Sequence, residues 1–279
     1  MKQWRKGIAS WQCGKTLYLS VPFTWMLAEA EAMAEAHKGP VVAGGPAVSL
    51  MGAPWADTPD SCPFDVLSMH NPCATFTTRG CPNRCGFCAV PKIEGDFREL
   101  GNWKPAPIVC DNNLLAASRK HFARVIDSLK PFPACDFNQG LDADLFTAWH
   151  AGQIAKLKRP MVRFALDSLK DERPVARAVE TARAAGLRHF GVYVLIGFKD
   201  TPVDALYRLR AVQALKIRPN PMRYQPLDAA TKNCYVDKNW TETELRRMTR
   251  YFSRLRWLEG VPYEEYQPPR ETLFAGVRR

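Results

Sequence analysis

Thr77-Thr78-Arg79-Gly80-Cys81-Pro82-Asn83-Arg84-Cys85-Gly86-Phe87-Cys88 is the stretch whose reading decides the fold. Its three cysteines stand at C-x3-C-x2-C spacing, with Gly86 and the aromatic Phe87 directly before the third. Three thiolates on one short loop can hold three irons of a [4Fe-4S] cluster and leave the fourth iron without a protein ligand. An iron left open is a place for a small molecule to bind and react, so the spacing points to catalysis more than to structure.

Two other uses of the cysteines compete with this one. Structural zinc wants four closed ligands, usually as two knuckle pairs. His70, Cys73 or Cys62 could supply a fourth, but none stands at knuckle spacing from a second pair. A disulfide framework fits less well still. The nine cysteines are odd in number and scattered, and no signal peptide directs the chain to an oxidising compartment.

Around the loop, strand-like and helix-like segments alternate. Cys73–Thr78 reads as a strand running into the cysteines and Pro107–Cys110 as a second, ending at Asp111-Asn112-Asn113. Further strands are expected at Ala134–Asn138, Met161–Leu166, His189–Ile196 and Met222–Gln225. Helices are expected at Ser118–Leu129, Asp142–Leu157 with Asp142 as N-cap, Glu172–Ala185 stopped by Gly186, Pro202–Lys216, and Thr241–Leu258 with a Thr241/Glu244 capping box. Six β/α units between about Cys73 and Gly260 imply a parallel sheet with helices outside, in an α/β fold. Residues 1–60 form a separate β-α-β extension, with strands at Thr16–Val21 and Pro40–Ala43 and a helix at Trp25–His37. The domain reading is therefore 1–60 extension, 61–260 β/α unit array and 261–279 C-terminal tail.

At 279 residues and 46% hydrophobic, the chain can bury one sizeable core. No apolar run approaches the roughly 18 residues of a membrane span, which predicts a soluble, cytoplasmic protein with no membrane partner. The net charge of +11 is unevenly placed: 0 over residues 1–60, +3 over 61–160 and +8 over 161–279. Such a gradient suits a polyanion, most simply nucleic acid, and equally a plain solvated basic surface.

The cysteine loop resembles the cluster loop of the radical S-adenosyl-L-methionine (SAM) enzymes, and six β/α units match that family's partial (β/α)6 barrel. The resemblance implies that Cys81, Cys85 and Cys88 ligate the cluster, that SAM chelates the open iron, and that its reductive cleavage gives a 5′-deoxyadenosyl radical that abstracts hydrogen from substrate. Phe87 would lie along the adenine. Asp111, Asn112 and Asn113 stand where the family places a polar or Gly-rich motif on the SAM amino group, although the common Gly-Gly-Glu form is absent. Arg163 and Asp167 share a face of the fourth strand and would take the SAM carboxylate and ribose, with Ser168 beside them. Ile196 and Gly197 end the fifth strand, where the family's backbone reads adenine. Gln139 and Gln225 would face SAM or substrate, and Cys234 and Tyr235 are candidates for hydrogen donation. A flavodoxin- or ferredoxin-type reductant is implied. The 1–60 fragment is similar to the tail of a cobalamin-binding domain but lacks the Asp-x-His-x-x-Gly signature, so bound cobalamin is not expected.

The substrate expected from the charge is a base in nucleic acid, DNA ahead of RNA. Arg246, Arg247, Arg250 and Arg254 fall on one arc of the last helix and would flank the active-site mouth as phosphate contacts. A small-molecule mutase or oxidoreductase is the alternative, and a non-catalytic Fe–S or zinc protein a more distant one.

Overall fold

The computed structural model describes residues 4–59 and 62–268. The part of the C-terminal tail beyond 268 lies outside the described residues. Strands β1 (Ala9–Cys13) and β2 (Thr16–Ser20) pair antiparallel, helix α1 (Leu27–Glu35) follows, and β3 (Val41–Gly44) returns parallel to β2. The sequence reading contains no strand at Ala9–Cys13. It forms because Gly14 turns the chain at φ 58° and Trp11 stacks on Tyr18 with ring centroids 5.6 Å apart. Leu19, Val21, Ala30, Ala43 and Val48 bury a small core of their own. Helix α2 (Pro46–Met51) closes this unit, and α3 (Val66–His70) leads to the main sheet.

The main body begins with β4 (Ala74–Thr75), and β5 (Thr78–Arg79) follows directly. The cysteine loop and α4 (Val90–Ile93) intervene before β6 (Arg98–Glu99) closes a two-stranded ladder with β5. Then come β7 (Ile108–Val109), α5 (Arg119–Leu129), β8 (Cys135–Phe137), α6 (Ala148–Ile154), β9 (Pro160–Ala165), α7 (Glu172–Ala184), β10 (His189–Ile196), α8 (Pro202–Ala214), β11 (Pro219–Arg223) and α9 (Glu242–Ser253). Strands β4, β7, β8, β9, β10 and β11 form one six-stranded sheet in that spatial order, every neighbouring pair parallel. The chain is thus an α/β fold whose strands lie side by side in the order in which they are made. Right-handed crossovers between such strands place the connecting helices on one face.

Side-chain alternation along the strands follows from that layering. On β9, Val162 and Phe164 are fully buried in the main core, while Met161, Arg163 and Ala165 point to the other face. Val192, Val194 and Ile196 of β10 and Cys135 and Phe137 of β8 join the same core, against Phe122, Val179, Leu209 and Met248 from the helices. Each such apolar side chain contributes about 1.5–3 kcal/mol of burial.

Several element boundaries differ from the sequence reading. The strand expected at Cys73–Thr78 is cut to Ala74–Thr75 in the main sheet, because Thr78 pairs instead with Glu99 in the separate β5–β6 ladder. The helix expected from Asp142 starts six residues later, at Ala148, because Asp142 turns its carboxylate to other donors and Thr147 caps the helix with His150 instead. The last strand runs Pro219–Arg223, not from Met222, and so contains Pro219 and Pro221; an edge strand tolerates the missing N–H groups. The last helix keeps its Thr241/Glu244 capping box but ends at Ser253, where the chain turns through Leu255 at φ 55°.

Candidate cofactor site at the cysteine loop

The cysteine loop leaves the C-terminal end of the first strand of the main sheet, and three carboxylates from other segments hold it. Asp111, just after β7, accepts the N–H groups of Thr77 (2.6 Å) and Thr78 (2.9 Å) and the Thr77 hydroxyl. It is 3% exposed, and burial pushes its carboxyl up to about 6 against the pull of those donors. Glu94 pairs with Arg79 at 3.0 Å and accepts the Gly80 N–H (2.8 Å) and the Asn112 amide (2.9 Å). Asp142 accepts the amides of Asn83 and Asn113, both at 3.0 Å. Gly80 adopts φ 72°, and a Cβ there would sit 2.3 Å from the Asp96 carbonyl oxygen, so only glycine fits at the start of the loop.

Cys85 is exposed and Cys81 and Cys88 half-buried, and no disulfide involves them. Burial raises the thiol pKa of Cys85, and the charges of Cys88, Asp167 and Cys81 raise it further. Burial also raises that of Cys88, with Cys81, Glu94 and Asp167 adding to the rise, while the Val90 N–H, 3.5 Å from its Sγ, opposes it. Cys85 and Cys88 therefore lie within electrostatic reach of Cys81 and of Asp167. Among the described residues, no three His, Cys, Asp or Glu side chains converge where a single ion could be held. Mononuclear zinc gathers four ligands on a single ion. The thiolates of a [4Fe-4S] cluster gather on one compact cube, each on a different iron. Three thiols on one short loop are a donor set of that second kind.

Phe87 packs edge-on against Phe198 at 5.6 Å, bringing the cysteine loop against the turn after β10. Phe198 continues to Tyr224 (4.6 Å) and Tyr224 to Tyr235 (5.2 Å), a line of rings along the C-terminal rim of the sheet. Beneath it, Arg208 of α8 is 2% exposed, pairs with Asp200, and donates to the carbonyls of Leu166 and Asp167. Asp200 also accepts the Gly197 N–H (3.1 Å) and the Trp240 indole N–H (2.9 Å). Asp167 is half-buried beside this network, and desolvation raises its carboxyl to about 6.

The structure therefore gathers Phe87, Asn112, Asn113, Asp167 and Gly197 around the cysteine loop. Asn113 is 2% exposed, and its Oδ1 has no hydrogen-bond partner among the described residues, an acceptor ready for a donor from a bound group. Other expected residues are occupied within the chain. Arg163 does face away from the helix layer, but its Nε and Nη2 each lie 2.7 Å from the Asp136 carboxylate, and its guanidinium sits over Tyr193. The charged neighbours of Asp167 are Asp171 and Arg208. Ser168 caps a short helical turn with Asp171. The Ile196 carbonyl accepts from the Tyr224 N–H, and the side chain points into the core. Gln225 lies beyond the last strand and closes a loop onto Asn233, while Gln139 is exposed on the turn after β8. Cys234 is exposed, its thiol 3.8 Å from the Lys232 carbonyl, and the Tyr235 hydroxyl donates to Asp237 at 3.3 Å.

The arginine arc does not flank the mouth along its length. Helix α9 starts at the rim, with Leu245 against Gly197 and Glu242 on Arg223, and ends where the Ser253 carbonyl accepts from Arg218, one residue before β11 begins. A helix following a parallel strand must run back along it, so Arg246, Arg247, Arg250 and Arg254 lead away from the mouth. Arg247 donates to the carbonyls of Tyr263 and Glu264 and stacks on the Tyr263 ring. Arg246 and Arg250 are half-buried and Arg254 is exposed.

Sequence reasoning did not single out Glu94, Asp136, Asp200 or Arg208. A mid-strand acid in Cys135-Asp136-Phe137, one strand before the mid-strand Arg163, is a signal for one of these pairs. Glu94 carries no local signal. Scanned against protein-family models the chain matches none, and no curated protein matches it either. No helix among the described residues is long and apolar enough to cross a membrane.

Proposed function

We propose that this chain is a radical SAM enzyme acting on a nucleobase in nucleic acid, DNA ahead of RNA. The observation that carries the reaction class is the placement of Cys81, Cys85 and Cys88 on one loop at the C-terminal edge of a parallel sheet wound in chain order. Such winding supports a partial (β/α)6 barrel, in which reactive groups collect at the C-terminal ends of strands. When bound, a [4Fe-4S] cluster with SAM supplies one-electron reductive cleavage of a C–S bond and a hydrogen-abstracting radical. The chain's own part is positional. Asp111, Glu94 and Asp142 hold the thiol-bearing loop in shape, Asn113 Oδ1 offers an acceptor suited to an ammonium group, and Phe87 with Phe198 covers one side of the site against water.

The substrate reading rests on the +8 excess over residues 161–279. A base inside a duplex would have to be flipped out to reach the rim. Anaerobic reconstitution with iron, sulfide, dithionite and SAM tests the reaction class. The expected result is about four irons per chain and formation of 5′-deoxyadenosine, both abolished in Cys81→Ala, Cys85→Ala and Cys88→Ala. A full cluster in any of the three variants overturns the ligand assignment. Turnover on a free small molecule with none on DNA or RNA overturns the substrate.

A further inference from the structure

At the end of the sheet opposite the cysteine loop, a cleft of about 370 Å³ is lined by Arg183, Leu187, Arg188, Phe190, Lys216, Ile217 and Arg218. Four of these seven residues are cations, and no Asp or Glu is among them. Three side chains are held by hydrogen bonds. Arg183 donates to the Leu215 carbonyl at 2.5 Å and lies over the Phe190 ring, Arg188 donates to the Leu187 carbonyl at 3.3 Å, and Arg218 donates to the Ser253 carbonyl at 3.3 Å. Four like charges around one concavity repel one another unless an anion enters.

The cleft is built from two copies of one turn. Helix α7 ends in Gly186-Leu187-Arg188 and α8 in Lys216-Ile217-Arg218, each delivering an arginine immediately before neighbouring parallel strands. In both, the second residue is buried and its N–H bonds back five residues, Leu187 to Ala182 (3.1 Å) and Ile217 to Val212 (3.3 Å). Both turns need a left-handed residue: Gly186 stands at φ 88° and Lys216 at φ 57°. Glycine takes this conformation without strain, and lysine does not. A cation therefore stands where local backbone chemistry prefers glycine, and it lines the cleft. Arg159, exposed, precedes β9 in the same way, so an arginine stands before each of three adjacent strands.

We propose that this basic cleft binds the phosphodiester backbone of nucleic acid, as an anchor separate from the reaction site. Guanidinium groups suit phosphate oxygens, which they can grip in pairs. Among the described residues, none of the exposed large apolar side chains lines the cleft, whereas a membrane-binding surface would present them here. The anchor deepens the nucleic-acid part of the proposed function, but it depends on charge geometry and not on the cluster. The eight-residue β10 separates the two ends of the sheet by about 26 Å, so a substrate engaging both must extend over roughly seven or eight base steps.

The test is binding of a fluorescently labelled 20-base-pair duplex to the full chain at two salt concentrations, with inorganic phosphate as competitor and phosphatidylserine vesicles as a parallel ligand. Arg188→Glu/Arg218→Glu is expected to weaken binding at least about tenfold and to lower the salt slope by about 1.8, from 0.9 per lost phosphate contact. Lys216→Gly removes one charge and relieves the turn. It is expected to weaken binding about threefold while the melting temperature holds or rises by about 2 °C. Formation of 5′-deoxyadenosine without nucleic acid stays unchanged in Lys216→Gly, so loss of that product in the unaltered chain reports on the cofactor reading alone. Unchanged affinity in both variants overturns the proposal. So does tighter binding to the vesicles than to the duplex, or full displacement of the duplex by equimolar phosphate.

Discussion

Replacing Arg208 by Met should destabilise the chain more than any other single change near the rim. The side chain is 2% exposed and Asp200 beside it 12%, so the pair lies outside the reach of bulk solvent. Methionine fills much of the arginine stem's volume, which leaves the electrostatic loss in view. Asp200 would keep only the Gly197 and Trp240 donors, and the carbonyls of Leu166 and Asp167 would lose theirs. Removing one partner of such a pair costs about 3–5 kcal/mol, because the other charge stays buried and uncompensated. With a urea m-value of about 3 kcal/mol/M, the unfolding midpoint should fall by about 1–1.7 M. The assay is urea unfolding of the metal-free chain followed by circular dichroism. Adding Asp200→Asn removes the orphaned charge while keeping an acceptor for Trp240. The double variant should therefore recover about 1–2 kcal/mol relative to Arg208→Met alone. A loss below about 1 kcal/mol in the single variant, or a double variant no more stable than the single, would refute the reasoning.

A second prediction concerns pH. Burial raises the carboxyl of Asp111 from 3.8 to about 6, so the folded state holds its proton where the unfolded state has lost it, and stability falls as pH rises from about 4 to 6. That rise corresponds to about 3 kcal/mol at neutral pH. Asp111→Asn keeps the acceptor for both N–H groups and can donate to the Thr77 hydroxyl, which turns to His121 3.4 Å away. The variant should gain stability over the unaltered chain across that window, and a gap independent of pH would count against the burial argument. Gly80→Ala should cost at least about 2 kcal/mol, from the left-handed backbone together with the contact at Asp96, and should lower the iron content on reconstitution. An alanine variant with unaltered melting and iron content would show that the loop start is pliable.

Much of the molecule was legible in the sequence because its rules are local. Strand His189–Ile196 announces itself by β-branched and aromatic residues, and Thr241 with Glu244 by capping spacing, since each depends on residues a few positions apart. The C-x3-C-x2-C spacing is of the same kind, and so is the alternation that produced an α/β fold with a parallel sheet. Asp142 shows where this stops. As a sequence feature it is a fair helix N-cap, yet its carboxylate finds Asn83, 59 positions away, and the helix begins without it. Arg163 likewise reads as a charge awaiting a ligand until Asp136 is brought alongside on the neighbouring strand. The four arginines of the last helix share a periodicity that local rules explain, but the helix's direction relative to the rim comes only from the winding of the sheet. Backbone preference and periodicity are set by neighbours in the chain. The partner of a buried charge is set by whichever distant segment packing brings within 3 Å, and that only the tertiary structure decides.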